Sequence, residues 1–266
     1  MTPRHVPVFS SRDVKIFSSS RTNYIPNDKT LLILGGRAPD PGWMRDLVSR
    51  NFPATPVVWA ADSGVHVCRA SEIIPSLLIG DKDSASPDDW AWAVSHGSGE
   101  KVFDKDKDYT DFQLALSLFE EYSTGGDARA LIVSGCFGGA LDHLMSVFFT
   151  LGSSGGNFYR CMIDEQEGVF FISSGESATM KFVRLPESVS LLPVTDECRG
   201  VSIMGVKWPL NGVTLERRYL WAVSNQTAPQ LADTSSVTAS CGAGILAVYW
   251  RSRTRITHMA TCYNEE

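Results

Sequence analysis

The sequence predicts an α/β domain with a parallel sheet, followed by an all-β domain of sandwich type, jelly-roll-like in character. Two observations carry this. From about residue 30 to 150, short continuous apolar runs alternate with stretches of helical spacing, the pattern of parallel strands joined by crossover helices. Beyond about residue 165 the apolar segments become short, alternating and bounded by turn residues, which is the pattern of antiparallel sheets. The expected division is therefore residues 1–170, with 1–28 as an N-terminal arm, and residues 171–266.

In the arm, Val6 to Phe9 and Val14 to Phe17 read as strand pieces. Thr30-Leu-Leu-Ile-Leu34 is an unbroken apolar run closed by Gly35-Gly36, and it reads as a central strand buried on both faces. Trp43, Met44, Leu47 and Val48 recur at helical spacing between Pro41 and Asn51. Pro56 to Ala60 is the next strand, running into Ala61-Asp62-Ser63-Gly64 and a short helix through Val65, Val67 and Cys68. Ser76 to Ile79 is a third buried strand, stopped by Gly80. Pro87 to His96 reads as helix, with Asp88 and Asp89 near the positive end of its dipole. Glu100 to Phe103 is a short strand ahead of the charged loop Asp104 to Asp111. Thr110 suits the N-cap of a helix from Asp111 to Tyr122, whose core face is Phe112, Ala115, Leu116 and Phe119. Ala130 to Val133 is a further strand, and a loop with three glycines leads into a helix carrying Leu144, Val147, Phe148 and Leu151. The later strand candidates are 168–172, 178–183, 188–192, 200–204, 212–215 and 244–249.

Composition narrows the function. With 266 residues, 43% hydrophobic and 20% charged, the chain is globular in character. A net charge of −6 argues against a nucleic-acid or anionic-membrane partner, because no strongly basic face is available in bulk. The six cysteines are widely spaced, without a C-x-x-C pair; they read as buried reduced thiols of a cytoplasmic protein rather than zinc ligands. No apolar run is long enough to span a membrane.

The chemistry gathers at strand ends. Asp81 and Asp83 stand one residue apart just past Gly80, at the sheet edge where open α/β folds bind ligands. Paired carboxylates need a counter-charge, and a hard divalent cation with oxygen ligands supplies one. Taken alone, an Asx-type turn explains the same residues. Asp108 and Asp111 sit at a helix start, where acids are favoured by the dipole alone. The loop Ser134-Gly-Cys-Phe-Gly-Gly139 can bring backbone N–H groups to a phosphate. Asp142 is placed for a ribose hydroxyl, a base or a metal-bound water, whereas His143 reads as an ordinary helix residue.

Taken together these pieces resemble the thiamin pyrophosphokinase family. Ala61-Asp62-Ser63-Gly64 is similar to its A-D-G-G motif, Gly80-Asp81-Lys82-Asp83-Ser84 to its G-D-x-D-S, and Lys107-Asp108-Tyr109-Thr110-Asp111 to its D-x-T-D loop. Gly135 to His143 resembles its glycine-rich segment ending in R-x-D-H or R-x-D-Q. Gly205-Val-Lys-Trp-Pro-Leu210 and Ser224-Asn225 resemble its G-L-K-[WY]-x-L and S-N elements. The resemblance implies Mg²⁺-dependent transfer of pyrophosphate from ATP to the thiamine hydroxyl, giving thiamine diphosphate and AMP. It implies Asp81, Asp83, Asp108 and Asp111 as catalytic metal ligands. Asp62, Gly64, Lys82, Ser84, Thr110, Gly135, Gly138, Gly139 and Asp142 would approach the nucleotide. It further implies a homodimer with sites shared between subunits, with Trp208, Ser224 and Asn225 on the thiamine. The alternatives are a non-catalytic thiamine- or nucleotide-binding protein on the same scaffold, or a pyrophosphotransferase for another heteroaromatic alcohol.

Two positions depart from the family pattern. Ser63 replaces a glycine, and Ala140 stands where the family carries arginine. Lys82, Lys105, Lys107 and Arg160 are the expected sources of a relocated positive charge, Lys82 foremost.

Overall fold

The computed structural model describes residues 6–19, 26, 28–52, 56–106, 108–122, 129–155, 158–228 and 235–252. Lys107 and Cys262 lie outside the described residues. Fifteen strands and five helices are described. They are β1 (Val6–Ser10), β2 (Val14–Ser19), β3 (Asp28–Ile33), α1 (Pro41–Asn51), β4 (Val57–Ala61), α2 (Gly64–Ala70), β5 (Leu77–Gly80) and α3 (Pro87–Ser95). Next come β6 (Gly99–Val102), α4 (Asp111–Glu121), β7 (Arg129–Ser134), α5 (Leu141–Ser153), β8 (Phe158–Ile163), β9 (Glu167–Ile172) and β10 (Glu176–Phe182). The chain ends with β11 (Ser188–Pro193), β12 (Glu197–Met204), β13 (Leu210–Glu216), β14 (Ser235–Cys241) and β15 (Leu246–Arg251).

A nine-stranded sheet has the order β11-β15-β9-β8-β7-β3-β4-β5-β6. Its strands from β8 to β6 run parallel. β9, β15 and β11 extend it antiparallel. From β3 the chain steps outward through β4, β5 and β6, then returns to the other side of β3 with β7. The crevice between the carboxyl ends of β3 and β7 is therefore the switch point where open α/β sheets bind ligands.

Alternation along β3 explains both layers of core. Leu31 and Ile33 face a cluster containing Trp43, Met44, Val65 and Trp90 from α1, α2 and α3. Leu32 and Leu34 face a second cluster with Phe112, Phe119, Val147 and Leu151 from α4 and α5. A strand buried on both faces must read as continuous apolar sequence, as Thr30 to Leu34 does.

The second sheet is antiparallel and six-stranded, with order β1-β2-β10-β14-β12-β13. Its inner residues Ile16, Met180, Val237 and Ile203 join the same cluster as Leu31. The sheets do not follow a linear division at residue 170. The N-terminal arm contributes β1 and β2 to the second sheet, and β11 and β15 return to the first. Strand pairing is a long-range property, so no local signal assigns these segments to a sheet. The expected sequence pattern also omits β8 and β14, which the structure adds.

Gly64 shows how tightly α2 seats on the sheet. A methyl group there would stand 2.1 Å from the Ile33 carbonyl oxygen. Gly64→Ala is expected to lower stability by about 1–3 kcal/mol, the usual cost of overpacking, read from the midpoint of urea unfolding. An unchanged midpoint would contradict this seating of α2 on β3.

Candidate active site

Loops after four parallel strands converge at the switch point. Leu34, Gly35 and Gly36 follow β3; Asp62 and Ser63 follow β4; Ser84 follows β5; Gly135 and Cys136 follow β7. With Thr110, Asp111, Gly139, Ala140 and His143 they line a cleft of ≈ 320 Å³. Two backbone bonds join the loops across its base. Gly36 N–H donates to the Gly135 carbonyl (2.6 Å) and Arg37 N–H to the Phe137 carbonyl (2.6 Å).

Asp62 occupies the centre of the acidic group. Its φ is 43°, a left-handed conformation that aspartate tolerates better than most residues. A Cβ on Gly80 would stand 1.9 Å from Asp62 Oδ1, so only glycine there lets the carboxylate lie against the end of β5. Asp62, Asp81 and Asp83 each offer a carboxylate oxygen, and those oxygens lie within 4.8 Å of one another. The Asp62 carboxyl also shares a hydrogen bond with Asp111. Its pKa is pushed up to about 8, by burial first and then by Asp111 and Asp81. Asp83 N–H donates to Asp81 Oδ1 (3.1 Å), which closes the turn and fixes their spacing.

This donor set fits a hard divalent cation. Carboxylate oxygens are the ligands such ions take, and the Asp62 pKa, raised first by burial and then by Asp111 and Asp81, marks a charge whose cost a cation would relieve. The expected set of Asp81, Asp83, Asp108 and Asp111 is arranged differently. Asp62 joins Asp81 and Asp83, Asp111 supports Asp62, and Asp108 stands exposed in the loop before α4 outside that group.

The remaining predicted nucleotide residues divide. Asp62, Ser84, Thr110, Gly135 and Gly139 line the cleft. Thr110 is also the N-cap of α4 in a reciprocal capping box with Gln113. Gly64, the first residue of α2, packs against the Ile33 carbonyl, and a side chain at Gly138 would meet Arg37. Asp142 accepts from the His143 N–H at 2.8 Å and does not line the cleft. Lys82 directs its ammonium to Glu100 (2.7 Å) and over the Trp90 ring (4.9 Å). Lys105 pairs with Asp83 at 3.3 Å. Arg160 is buried, its guanidinium given to the Gly152 and Ser154 carbonyls and to Ser173 Oγ. Among the described lining residues the basic side chain is His143, which sequence reasoning set aside.

Ser63 is accommodated by its neighbour. Its hydroxyl lies 1.7 Å from where a Cβ on Gly35 would stand, so Gly35 supplies the room that a second glycine at 63 would have left. The Gly35-Gly36 pair was legible as a strand end, and its place after the central strand was the missed signal. Ala140 is the N-cap of α5 without a side-chain bond.

A second hollow, of ≈ 240 Å³, lies on the β-rich side. Val189, Leu191 and Ile203 form its buried floor, with Trp208, Leu210, Trp221 and Asn225 around it. Asn225 spends its side-chain amide on Trp208: Trp208 N–H donates to Oδ1 (3.2 Å) and Nδ2 donates to the Trp208 carbonyl (2.7 Å). Asn225 thus positions the indole. Ser224, at φ 56°, gives its N–H to Ser190 Oγ (2.9 Å) and is exposed beside the hollow rather than lining it.

Comparisons with known proteins agree across the chain. Residues 49–162 match the family model described as thiamin pyrophosphokinase, catalytic domain. Residues 181–246 match thiamin pyrophosphokinase, vitamin B1 binding domain. Among solved structures, thiamine pyrophosphokinase from Bacillus subtilis is similar at TM-score 0.68 and 19% identity, covering 85% of this chain and 100% of that one. Thiamin pyrophosphokinase from Candida albicans aligns at TM-score 0.67 and 15% identity, covering 85% and 90%. The yeast enzyme aligns at 0.63 and 16%, covering 84% and 86%. At these identities the structural likeness speaks for the fold. No curated protein sequence matches.

The crowding at Asp62 has a measurable sign. Its folded pKa of about 8 lies above the ordinary value of 3.8, so its stabilising contribution is full below about pH 4 and is lost as pH rises through about 8. Metal-free Asp62→Asn is therefore expected to melt above wild type at about pH 8, with the difference shrinking toward about pH 5. Equal melting temperatures throughout would contradict the raised Asp62 pKa, whose first cause is burial and whose second is the neighbouring carboxylates.

Proposed function

The chain belongs to the thiamin pyrophosphokinase family, and from that premise we propose how its own residues divide the work. The reaction transfers the pyrophosphoryl group of ATP to the hydroxyl of thiamine, giving thiamine diphosphate and AMP. The observation that carries the proposal is the carboxylate group of Asp62, Asp81 and Asp83 beside a cleft lined by Gly35, Gly36, Gly135 and Gly139. Pyrophosphoryl transfer asks chiefly for positioning and charge neutralisation.

ATP enters the switch-point cleft, its phosphates toward the glycine loops after β3 and β7. Asp62, Asp81 and Asp83 would hold Mg²⁺. Bound there, the ion would neutralise phosphate charge and stabilise the leaving AMP. Asp111 orients Asp62 through their shared hydrogen bond. Thr110 caps α4 and so fixes Asp111, the first residue of that helix. Asp108, outside the acidic group, is left to orient the attacking hydroxyl. His143 offers the cleft a basic side chain where Ala140 offers none.

Thiamine would occupy the hollow beside Trp208, its cationic ring against indole. The cleft and the hollow share no lining residue. Exposed apolar side chains, among them Met204, Tyr219 and Leu220, lie near the hollow in sequence, and exposed Val223 lines it. Both features support a homodimer in which the hollow of one subunit completes the cleft of another. No helix among the described residues is long and apolar enough to cross a membrane, and a cytoplasmic location suits the free buried cysteines.

Incubation with ATP, Mg²⁺ and thiamine is expected to release AMP and thiamine diphosphate in equal amounts, and neither when thiamine is omitted. Asp81→Ala should lower the rate by at least about 100-fold, the scale of losing one transition-state contact. Binding of both substrates without AMP release would favour the non-catalytic alternative.

A further inference from the structure

Two thiols meet beneath one turn of the second sheet, outside the cleft and its acidic group. Cys198 lies on β12 and Cys241 on the neighbouring β14, at 0% and 1% exposure. Both are free thiols of the same core cluster. The two strands are joined beside them. Arg199 N–H donates to the Ala243 carbonyl (2.9 Å), and Gly242 N–H donates to the Arg199 carbonyl (2.9 Å). The register of β12 against β13 shifts between Cys198 and Val201, where Gly200 takes φ 63°. In a regular strand, residues three apart face opposite sides. The bulge instead leaves Cys198 and Val201 both buried, on the side where Cys241, Ala239 and Val237 of β14 are also buried.

Both sulfurs reach the turn that follows β14. Cys198 Sγ lies 3.1 Å from the Ile245 carbonyl oxygen and 3.7 Å from Thr195 Oγ1. Cys241 Sγ lies 3.2 Å from the Ala243 carbonyl oxygen. The two thiols also share a hydrogen bond with each other. That bond, ahead of burial, brings the Cys198 pKa down to about 7. Burial pushes the Cys68, Cys136 and Cys161 thiols the other way. A thiolate is the attacking species in disulfide exchange, and Cys198 has a second thiol in contact to complete that exchange. The cover over the pair is thin. Gly242 and Ala243 are exposed, and the turn is fastened by exposed Ser174, whose Oγ accepts from Gly244 N–H (3.0 Å) and donates to the Gly244 carbonyl (3.1 Å). Local opening of a turn held by so few bonds is the route to the sulfurs.

We propose that Cys198 and Cys241 form a redox-active dithiol, a modification site that closes into a reversible disulfide between β12 and β14. The Cys198 thiolate attacks one sulfur of a low-molecular-weight disulfide and expels the other half as a thiolate, which takes up a proton. Cys241 then gives up its proton, attacks the Cys198 sulfur of the mixed disulfide and expels the second small thiol. Two protein thiols and one small disulfide thus become one protein disulfide and two small thiols. The bond would close the stretch 198–241, which carries Ile203, Trp208, Leu210, Trp221 and Asn225 of the hollow. Oxidation would therefore fasten together the ends of the segment that builds it.

The test uses the full chain, reduced and then exposed to oxidised glutathione, quenched in acid, alkylated and mapped by peptide mass spectrometry. The expected product is a cross-link between the Cys198 and Cys241 peptides that dithiothreitol reverses. The oxidised protein should melt about 5 °C or more above the reduced one, because the bond restricts the unfolded chain. Cys241→Ser should retain glutathione on Cys198, and Cys198→Ser should leave Cys241 unmodified. Wild-type protein in which both thiols stay open to alkylation, or in which either is joined to another cysteine such as Cys262, would overturn the proposal. Glutathione on Cys241 in Cys198→Ser would overturn the order of attack, and an unchanged melting temperature would overturn the fastening of the segment. The cross-link is read whether or not AMP is released, so its failure and that of the enzymatic reading are separate results.

Discussion

Carboxylate crowding at the carboxyl ends of β4 and β5 is the constraint around which the catalytic half is arranged. Asp62 lies against Gly80, within 4.8 Å of oxygens from Asp81 and Asp83, and bonds to Asp111. Alone, that arrangement costs stability, as the pKa pushed up to about 8 shows. It persists because the surroundings over-determine it. Asp62 N–H is held by the Ile79 carbonyl (2.9 Å), Asp81 by its turn with Asp83, and Asp111 by the capping box of α4. Strain and like-charge crowding held by a rigid scaffold are features of functional sites.

The β-rich half solves a different problem. Its hollow has an apolar floor and polar atoms committed inward, because Asn225 gives both ends of its amide to the Trp208 backbone. What the hollow presents is rings and an apolar floor. The two halves are knit together by the sheets themselves. β1 and β2 enter the second sheet from the N-terminus, while β11 and β15 join the first from the C-terminal end. Trp250 of β15 packs edge-on to Phe182 of β10 at 6.2 Å, so a residue of one sheet fills the core behind the other.

Much of this was legible in the residues. The parallel strands that carry the site are continuous apolar runs ending in glycine or acid turns, and Thr110 was a readable cap. What was hidden has physical causes. β8 carries Arg160 in its middle, a charge that interrupts the apolar run although it is buried against carbonyl oxygens. β14 alternates Val237, Ala239 and Cys241 with serine and threonine, so its buried face is made of small side chains and its period is faint. The regrouping of the aspartates was hidden for another reason. Asp62 comes within reach of Asp81 only because β4 and β5 pair in parallel, and no motif in one loop reveals its neighbour across the sheet. Trp221 lies in an irregular stretch whose position is set by bonds to β11.

The central claim is that the Asp62, Asp81 and Asp83 carboxylates form a divalent-cation site. Thermal melting across a Mn²⁺ or Mg²⁺ titration tests it most directly, because an ion that binds only the folded state raises the melting temperature with concentration. The account predicts a saturable rise in wild type that disappears in the Asp81→Ala/Asp83→Ala double variant. A wild-type melting temperature indifferent to the ions, or a rise that survives in the double variant, would contradict it.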